Sequence, residues 1–256
     1  MLLEGKVAIV TGAATRRGIG RATVLAMARE GASILVADKN QEGAELGVAE
    51  VRALGGAAQA IQVDVTSEED TRRMVEEAIA RFGRIDILAN CAGITRATPV
   101  HQISVEEWDL ILNVDLKGVF LCTRAVLPHM MEQRYGRIVS ISSVSGKQGG
   151  GVFGSAHYCA AKAGVAGFNK AVAKQMGPYG ITANSVAPGL IDTDITVGLV
   201  DEETRTRSFA KSLEGIVLGR LGTAEDVAEL ITFLASDRAS YITGEDVDIN
   251  GGLHID

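Results

Sequence analysis

Short apolar runs rich in valine and isoleucine alternate along this chain with longer amphipathic stretches. Runs such as VAIV, ILVA and RIVSIS are almost continuously apolar, which predicts strands of a parallel sheet buried on both faces. The longer stretches predict the helices that cover those faces. Strands are expected near 6–11, 33–38, 58–63, 85–90, 136–142, 181–187 and 246–250. Helices are expected over roughly 18–30, 40–54, 67–82, 104–134, 155–178 and 223–235, with a shorter helical piece within 199–213. The repeated alternation predicts an α/β fold built from βαβ units.

Capping residues agree with these limits. Thr66 or Ser67 precedes EEDTRRMVEEAI, Ser104 precedes VEEWDLIL with Glu107 three residues on, and Thr223 precedes AEDVAELI with Asp226 three residues on. No internal repeat, linker or low-complexity tract interrupts residues 1–256, so a single domain is expected. The least regular segments, 144–155 and 189–215, follow strand ends, where open parallel sheets bind ligands, and the second is a candidate lid.

Composition narrows the function. A chain of 256 residues with 46% hydrophobic but only 4% aromatic residues implies one large aliphatic core. The net charge of −7 is spread without a basic block, which argues against nucleic acid or an anionic membrane surface as the main partner. The start, MLLEGKVAIVTG, reads as a first strand and not as a signal peptide, and no run is long and apolar enough to span a bilayer. Cys91, Cys122 and Cys159 form neither a disulfide framework nor a zinc spacing, so no metal is expected and a reducing cytoplasm is the natural setting.

Strand one runs into Thr11 and Gly12, then Gly18, Ile19 and Gly20 open a helix. A glycine-rich turn between a strand and a helix N-terminus allows close backbone approach and offers unpaired N–H groups to a pyrophosphate. Asp38 ends the second strand 18 residues beyond Gly20, where a carboxylate can accept from an adenosine ribose and repel a 2′-phosphate. That favours NAD. Arg17, beside Arg16 and with Lys39 after the aspartate, could instead receive the phosphate of NADP. Asp64, with Val65 at the end of strand three, is a candidate for the adenine amino group, or for a turn ahead of Thr66.

Tyr158 and Lys162 are four residues apart in HYCAAKAGVAGF, a helical stretch, so a phenol and an ammonium share one face. A fixed cation beside a phenol favours the phenolate, an arrangement suited to acid/base catalysis. His157 and Cys159 flank the tyrosine but point elsewhere on the helix.

With these residues assembled, the chain resembles the short-chain dehydrogenase/reductase family in its compact form of about 250 residues, over essentially its whole length. The carriers are TGAATRRGIG at 11–20, Asp64 in DVT, NCAG at 90–93, Asn113 in LNVDLKG, Ser143 in ISSVSG, the Tyr158 and Lys162 pair, APGLIDT at 187–193 and YITGEDVDINGG at 241–252. The nearest group contains 3-oxoacyl-carrier-protein reductases and sugar or polyol dehydrogenases. Three departures stand out. Gly12 and Gly18 enclose five residues where three are usual, Cys91 replaces a common asparagine, and the interval from Ser143 to Tyr158 is about two residues longer than in the usual reductase pattern.

The resemblance implies a Rossmann-type, doubly wound sheet of seven parallel strands, an NAD or NADP cofactor, and interconversion of a secondary alcohol and a ketone. By it, Tyr158 exchanges the proton with the substrate oxygen, Ser143 hydrogen-bonds that oxygen, Lys162 lowers the phenol pKa and holds the nicotinamide ribose, and Asn113 helps hold a relaying water. Ser142 is expected to point away from the site. Asn90, Ala92 and Gly93 pass the adenine and ribose side, while Pro188, Gly189, Ile191 and Thr193 hold the carboxamide end. Arg205, Arg207 and Lys211 of the lid are candidate contacts for an anionic substrate, with a solvated surface as the alternative. Two helical stretches apolar on more than one face, and the family pattern, imply a homotetramer.

Overall fold

The computed structural model describes residues 1–255. Seven strands form one parallel sheet in the order β3-β2-β1-β4-β5-β6-β7. They are β1 (Val7–Thr11), β2 (Ser33–Asp38), β3 (Ala58–Gln62), β4 (Ile87–Asn90), β5 (Gly136–Ile141), β6 (Ile181–Pro188) and β7 (Asp246–Ile249). The order reverses between β1 and β4, where Thr11 is paired in register with Asn90. That switch point opens the crevice in which such sheets bind nucleotides.

Period-two alternation explains why the strands read as unbroken apolar runs. Ala8 and Val10 of β1, with Ile34 and Val36 of β2, join one buried cluster, and Ile9, Leu35 and Ala37 join another on the opposite face. The first cluster is closed by Met27 of α1 (Ile19–Arg29), Val48 of α2 (Gln41–Ala53), and Val227 and Ile231 of α9 (Ala224–Leu234). The second is closed by Met74 and Val75 of α3 (Glu68–Phe82), Val126 and Met130 of α5 (Gly118–Gln133), and Val172 of α7 (Ala156–Met176). Each fully buried Val, Leu or Ile side chain contributes about 1.5–3 kcal/mol, so this aliphatic sandwich dominates the stability.

Caps place the helices where the sequence expects them. Ser67, not Thr66, accepts the Asp70 N–H at the start of α3, because Thr66 is spent on Asp64. Thr223 and Asp226 form a reciprocal capping box at α9. The helix expected over 104–134 is corrected by the structure into three parts: α4 (Val105–Leu112), a π turn (Asn113–Lys117) and α5. The π turn adds a residue to the winding and so re-aims the side chains around it. A short α6 (Ser145–Gln148) follows β5, and the 189–215 segment contains a 3₁₀ turn at Asp194–Thr196 and α8 (Glu202–Leu213).

Candidate active site

The carboxyl ends of the strands open onto a cavity of about 940 Å³. Its floor is the glycine-rich turn, one wall carries Ser143, Tyr158 and Lys162, and another is made by Pro188, Gly189, Ile191 and Thr193. Helix α8 borders the outer end with Ser208, Lys211 and Ser212.

The turn is shaped by sterics and by one buried cation. Gly12 is left-handed, with φ of 69°, and a Cβ there would collide with the Ala92 backbone. A Cβ at Gly20 would collide with the Gly12 carbonyl. Only glycine keeps β1, β4 and the start of α1 in this contact. Arg21, 2% exposed, holds the loop from within: its guanidinium donates to the carbonyls of Ala13 (3.0 Å), Ala14 (2.9 Å) and Gly43, and pairs with Glu50. The α1 N-cap, Gly18, supplies no side-chain acceptor, so first-turn N–H groups face the cavity without a protein side chain to satisfy them. This cradle fits a dinucleotide pyrophosphate.

At the far end of the cradle, Asp38 accepts the N–H groups of Ala14 and Asn40, both at 2.9 Å. Lys39 is paired with Asp64 at 2.9 Å, and Asp64 also accepts both the N–H and the hydroxyl of Thr66. The Lys39 bond and the Thr66 bonds together hold the Asp64 carboxyl down at about 2. Asp64 thus has the turn role, and Val65 packs against Gly118. Arg17 does not reach toward Asp38; it pairs with Asp192 at 2.6 Å and approaches Asp194 at 3.9 Å.

Ser142 and Ser143 follow β5, and the chain's alternation separates them as expected. The Ser142 hydroxyl contacts the Val186 carbonyl at 2.9 Å and Asp246 at 2.5 Å. Ser143 lines the cavity, its oxygen accepting the Ser145 N–H at 3.1 Å and its hydroxyl within hydrogen-bonding reach of the Tyr158 phenol. Tyr158 and Lys162 share the inner face of α7, with the ammonium 5.6 Å from the ring centroid. Lys162 is 3% exposed and donates to the Ile141 carbonyl at 3.0 Å.

One expectation needs correction here, and two asparagines are placed. Asn113 starts the π turn, and its side chain makes no hydrogen bond among the described residues. The residue against Lys162 is Asp115, fully buried, with Oδ2 at 3.3 Å from Nζ and Oδ1 accepting the Ile94 N–H at 2.8 Å. The correction concerns the Tyr158 phenol, which sits above its ordinary pKa: burial raises it, and Asp115 adds to this, while Lys162 and the nearby Ser143 hydroxyl pull against them. The cation acts in the expected direction but is outweighed. Asn90, expected to meet the cofactor through its backbone, turns its side chain into the core, where it bridges Thr123 and Ser140.

Neighbouring groups are committed elsewhere. His157 is buried against Glu107 at 2.8 Å, and its other ring nitrogen accepts the Tyr158 N–H. The Cys159 thiol leans on the Gly154 carbonyl, and burial raises its pKa. Arg205 and Arg207 are paired with Glu202 and Glu203, and Lys211 is the α8 cation that lines the cavity. Thr15, Thr95 and Arg96 also line it and carry no earlier signal in the sequence.

The family model described as enoyl-(acyl carrier protein) reductase matches residues 12–254. The chain is 44% identical to a 3-oxoacyl-[acyl-carrier-protein] reductase of Thermotoga maritima, over 100% of both chains. It is 42% identical to the protein of the same name from Escherichia coli, again over 100% of both. A crystal structure of a short-chain type dehydrogenase/reductase from Mycobacterium marinum superposes with a TM-score of 0.90 at 34% identity, covering 99% of this chain and 97% of that one. The chain belongs to the short-chain dehydrogenase/reductase family. It is an NAD(P)-dependent oxidoreductase.

Proposed function

We propose that this protein is a carbonyl reductase that prefers NAD(H), with Tyr158 as the proton donor to the ketone oxygen. The observation that carries the reading is the meeting of Ser143, Tyr158 and Lys162 on the wall of one cavity whose floor is a pyrophosphate cradle. A bound nicotinamide supplies the hydride, and the glycine turn, Gly93 and the Pro188–Thr193 segment are the residues that would hold that cofactor. The protein contributes the rest. Ser143, whose hydroxyl lies beside the Tyr158 phenol on the cavity wall, orients the carbonyl and stabilises charge as it develops on oxygen. Burial keeps the Tyr158 proton in place until the oxygen becomes basic enough to take it. Lys162 steadies the phenolate left behind and can offer a further N–H to a ribose hydroxyl.

Preference for NAD rests on charge. Asp38 stands at the end of β2, and two cations of the loops around it are engaged, Arg17 with Asp192 and Lys39 with Asp64. A 2′-phosphate placed there meets a carboxylate, while Arg17 and Lys39 are held by carboxylates of their own.

A second substrate reading is favoured by the relatives' names: a 3-oxoacyl thioester, whose chain would lie against Val152, Phe153 and Leu199 of the cavity. The 189–215 segment serves as the lid in both. Trp108, Leu110 and Phe120 on α4 and α5 are large apolar side chains left exposed, which supports helix pairing in a homotetramer. The deciding assay compares simple ketones, polyols and 3-oxoacyl thioesters with NADH and NADPH side by side, with sedimentation for the assembly. No turnover of any carbonyl with either cofactor would defeat the reading, and a preference for NADPH would overturn the cofactor choice.

A further inference from the structure

The residue that most changes the chemistry of this wall is the acid at 115. The π turn carries Asp115 inward until it is fully buried, while its neighbours Val114 and Leu116 stay only partly so. Its Oδ1 is anchored by the Ile94 N–H at 2.8 Å, and its Oδ2 stands 3.3 Å from the Lys162 ammonium without a well-directed hydrogen bond among the described residues. Gly93 makes the contact possible, since a Cβ there would press to 3.3 Å on both Oδ2 and Nζ. The other side of Lys162 is fixed by the Ile141 carbonyl, so the cation is held between an acid and a strand end, facing the Tyr158 ring.

We propose that Asp115 is a positioning residue of this site: its carboxylate fixes the ammonium of Lys162 and partly neutralises the charge that Lys162 presents to the Tyr158 phenol. The proposal rests on the assignment of Tyr158 as the proton donor. A buried acid this close to the lysine turns a two-group couple into a three-group one, whose protons leave as a set. With Asp115 ionised, the three groups start neutral overall, and losing a proton leaves a net negative charge in a buried place. With a neutral side chain at 115 the couple starts positive, and its first proton leaves more easily. The titratable groups facing the trio are few: His157 of α7, itself held by Glu107 of α4, then Cys159 beside the tyrosine and Cys91 on the crevice side. None of them is a carboxylate in contact with Lys162 that would replace Asp115.

The test is a pH titration of Asp115→Asn, which keeps an oxygen for the Ile94 N–H and removes the charge, with ¹³C-labelled tyrosine and lysine observed by NMR. The Tyr158→Phe variant assigns the phenol signal. The first proton of the couple is expected to leave about one pH unit lower than in the wild type, about tenfold in proton affinity. The alkaline limit of ketone reduction should fall by the same amount. Asp115→Ser, smaller and also neutral, must give the same sign if the asparagine variant proves poorly folded. Unchanged titration of both Tyr158 and Lys162 signals in a folded variant overturns the proposal. The NMR arm needs no turnover, so an inactive wild type would defeat the functional reading and leave this titration to decide Asp115 by itself.

Discussion

Arg17 of the glycine-rich loop is joined to Asp192, beyond β6, by an ion pair of 2.6 Å that crosses the cleft. The two residues are far apart in sequence and both about half exposed, so the pair adds little stability, on the order of 0–1 kcal/mol. Its consequence is positional, because a guanidinium turned toward the lid is turned away from Asp38. Arg17→Ala is therefore expected to leave the ratio of kcat/KM for NADH over NADPH within about threefold, whereas Asp38→Ala should shift it toward NADPH by about tenfold or more. Paired rate measurements with the two cofactors check this. A large loss of NADPH use in Arg17→Ala would mean that the guanidinium swings back to bind the phosphate.

Removing the phenolic oxygen isolates the acid. Tyr158→Phe keeps the ring on α7 and removes only the group proposed to give the proton, so kcat should drop by about 10²–10⁴. The dissociation constant for NADH, read by fluorescence, should stay within about threefold, since the glycine cradle and Asp38 are untouched. Retained turnover in this variant would sink the assignment of Tyr158.

Much of this site was legible before any coordinates. Strands are easy to find because both sheet faces are covered, so β1, β2 and β5 read as apolar runs; and the glycine turn, Ser143, Tyr158 and Lys162 carry local spacing signals. Asp115 was hidden for a physical reason. On a regular helix the side chains of Asn113 and Asp115 point to different sides, and the choice between them needs the winding; the π turn at Asn113–Lys117 changes that winding and is invisible to a 3.6-residue period. Burial was equally silent. Sequence shows a lysine four residues from a tyrosine but not the dielectric around them, so the net upward shift of the phenol could not be foreseen.

Arg21 is a second group that spacing did not reveal, because a buried arginine looks like any helix-surface arginine in sequence. Its guanidinium ties the Ala13, Ala14 and Gly43 carbonyls together beneath the cofactor cradle. Arg21→Met should fill part of the space, strand those carbonyls, and cost about 3 kcal/mol in a urea melt. NADH affinity should weaken along with stability, since the loop loses its internal brace. Binding unchanged at full strength in the folded variant would show that the glycines alone define the loop.

Acid should loosen the α9 end of the fold first at Asp226. Its carboxyl is held down at about 2, against an ordinary value near 3.8, chiefly by the Arg220 hydrogen bonds at 2.6 and 2.9 Å and then by the Thr223 N–H at 2.9 Å. A group whose folded pKa is depressed contributes stability that is present in full above its unfolded pKa and is lost as pH falls through the folded one. The window is thus about pH 4 down to about pH 2, and Asp64, also held near 2 by Lys39 and Thr66, titrates in the same window with the same sign. In Asp226→Asn the charge is gone, so the stability gap from the wild type should be widest at neutral pH and close across that window. Thr223→Ala removes the other half of the capping box and should cost about 1 kcal/mol at neutral pH. Denaturant melts of the three proteins at neutral pH and at steps between pH 4 and pH 2 read both effects. A gap for Asp226→Asn that is independent of pH would show that the capping geometry, and not the Arg220 ion pair, is what Asp226 contributes to the fold.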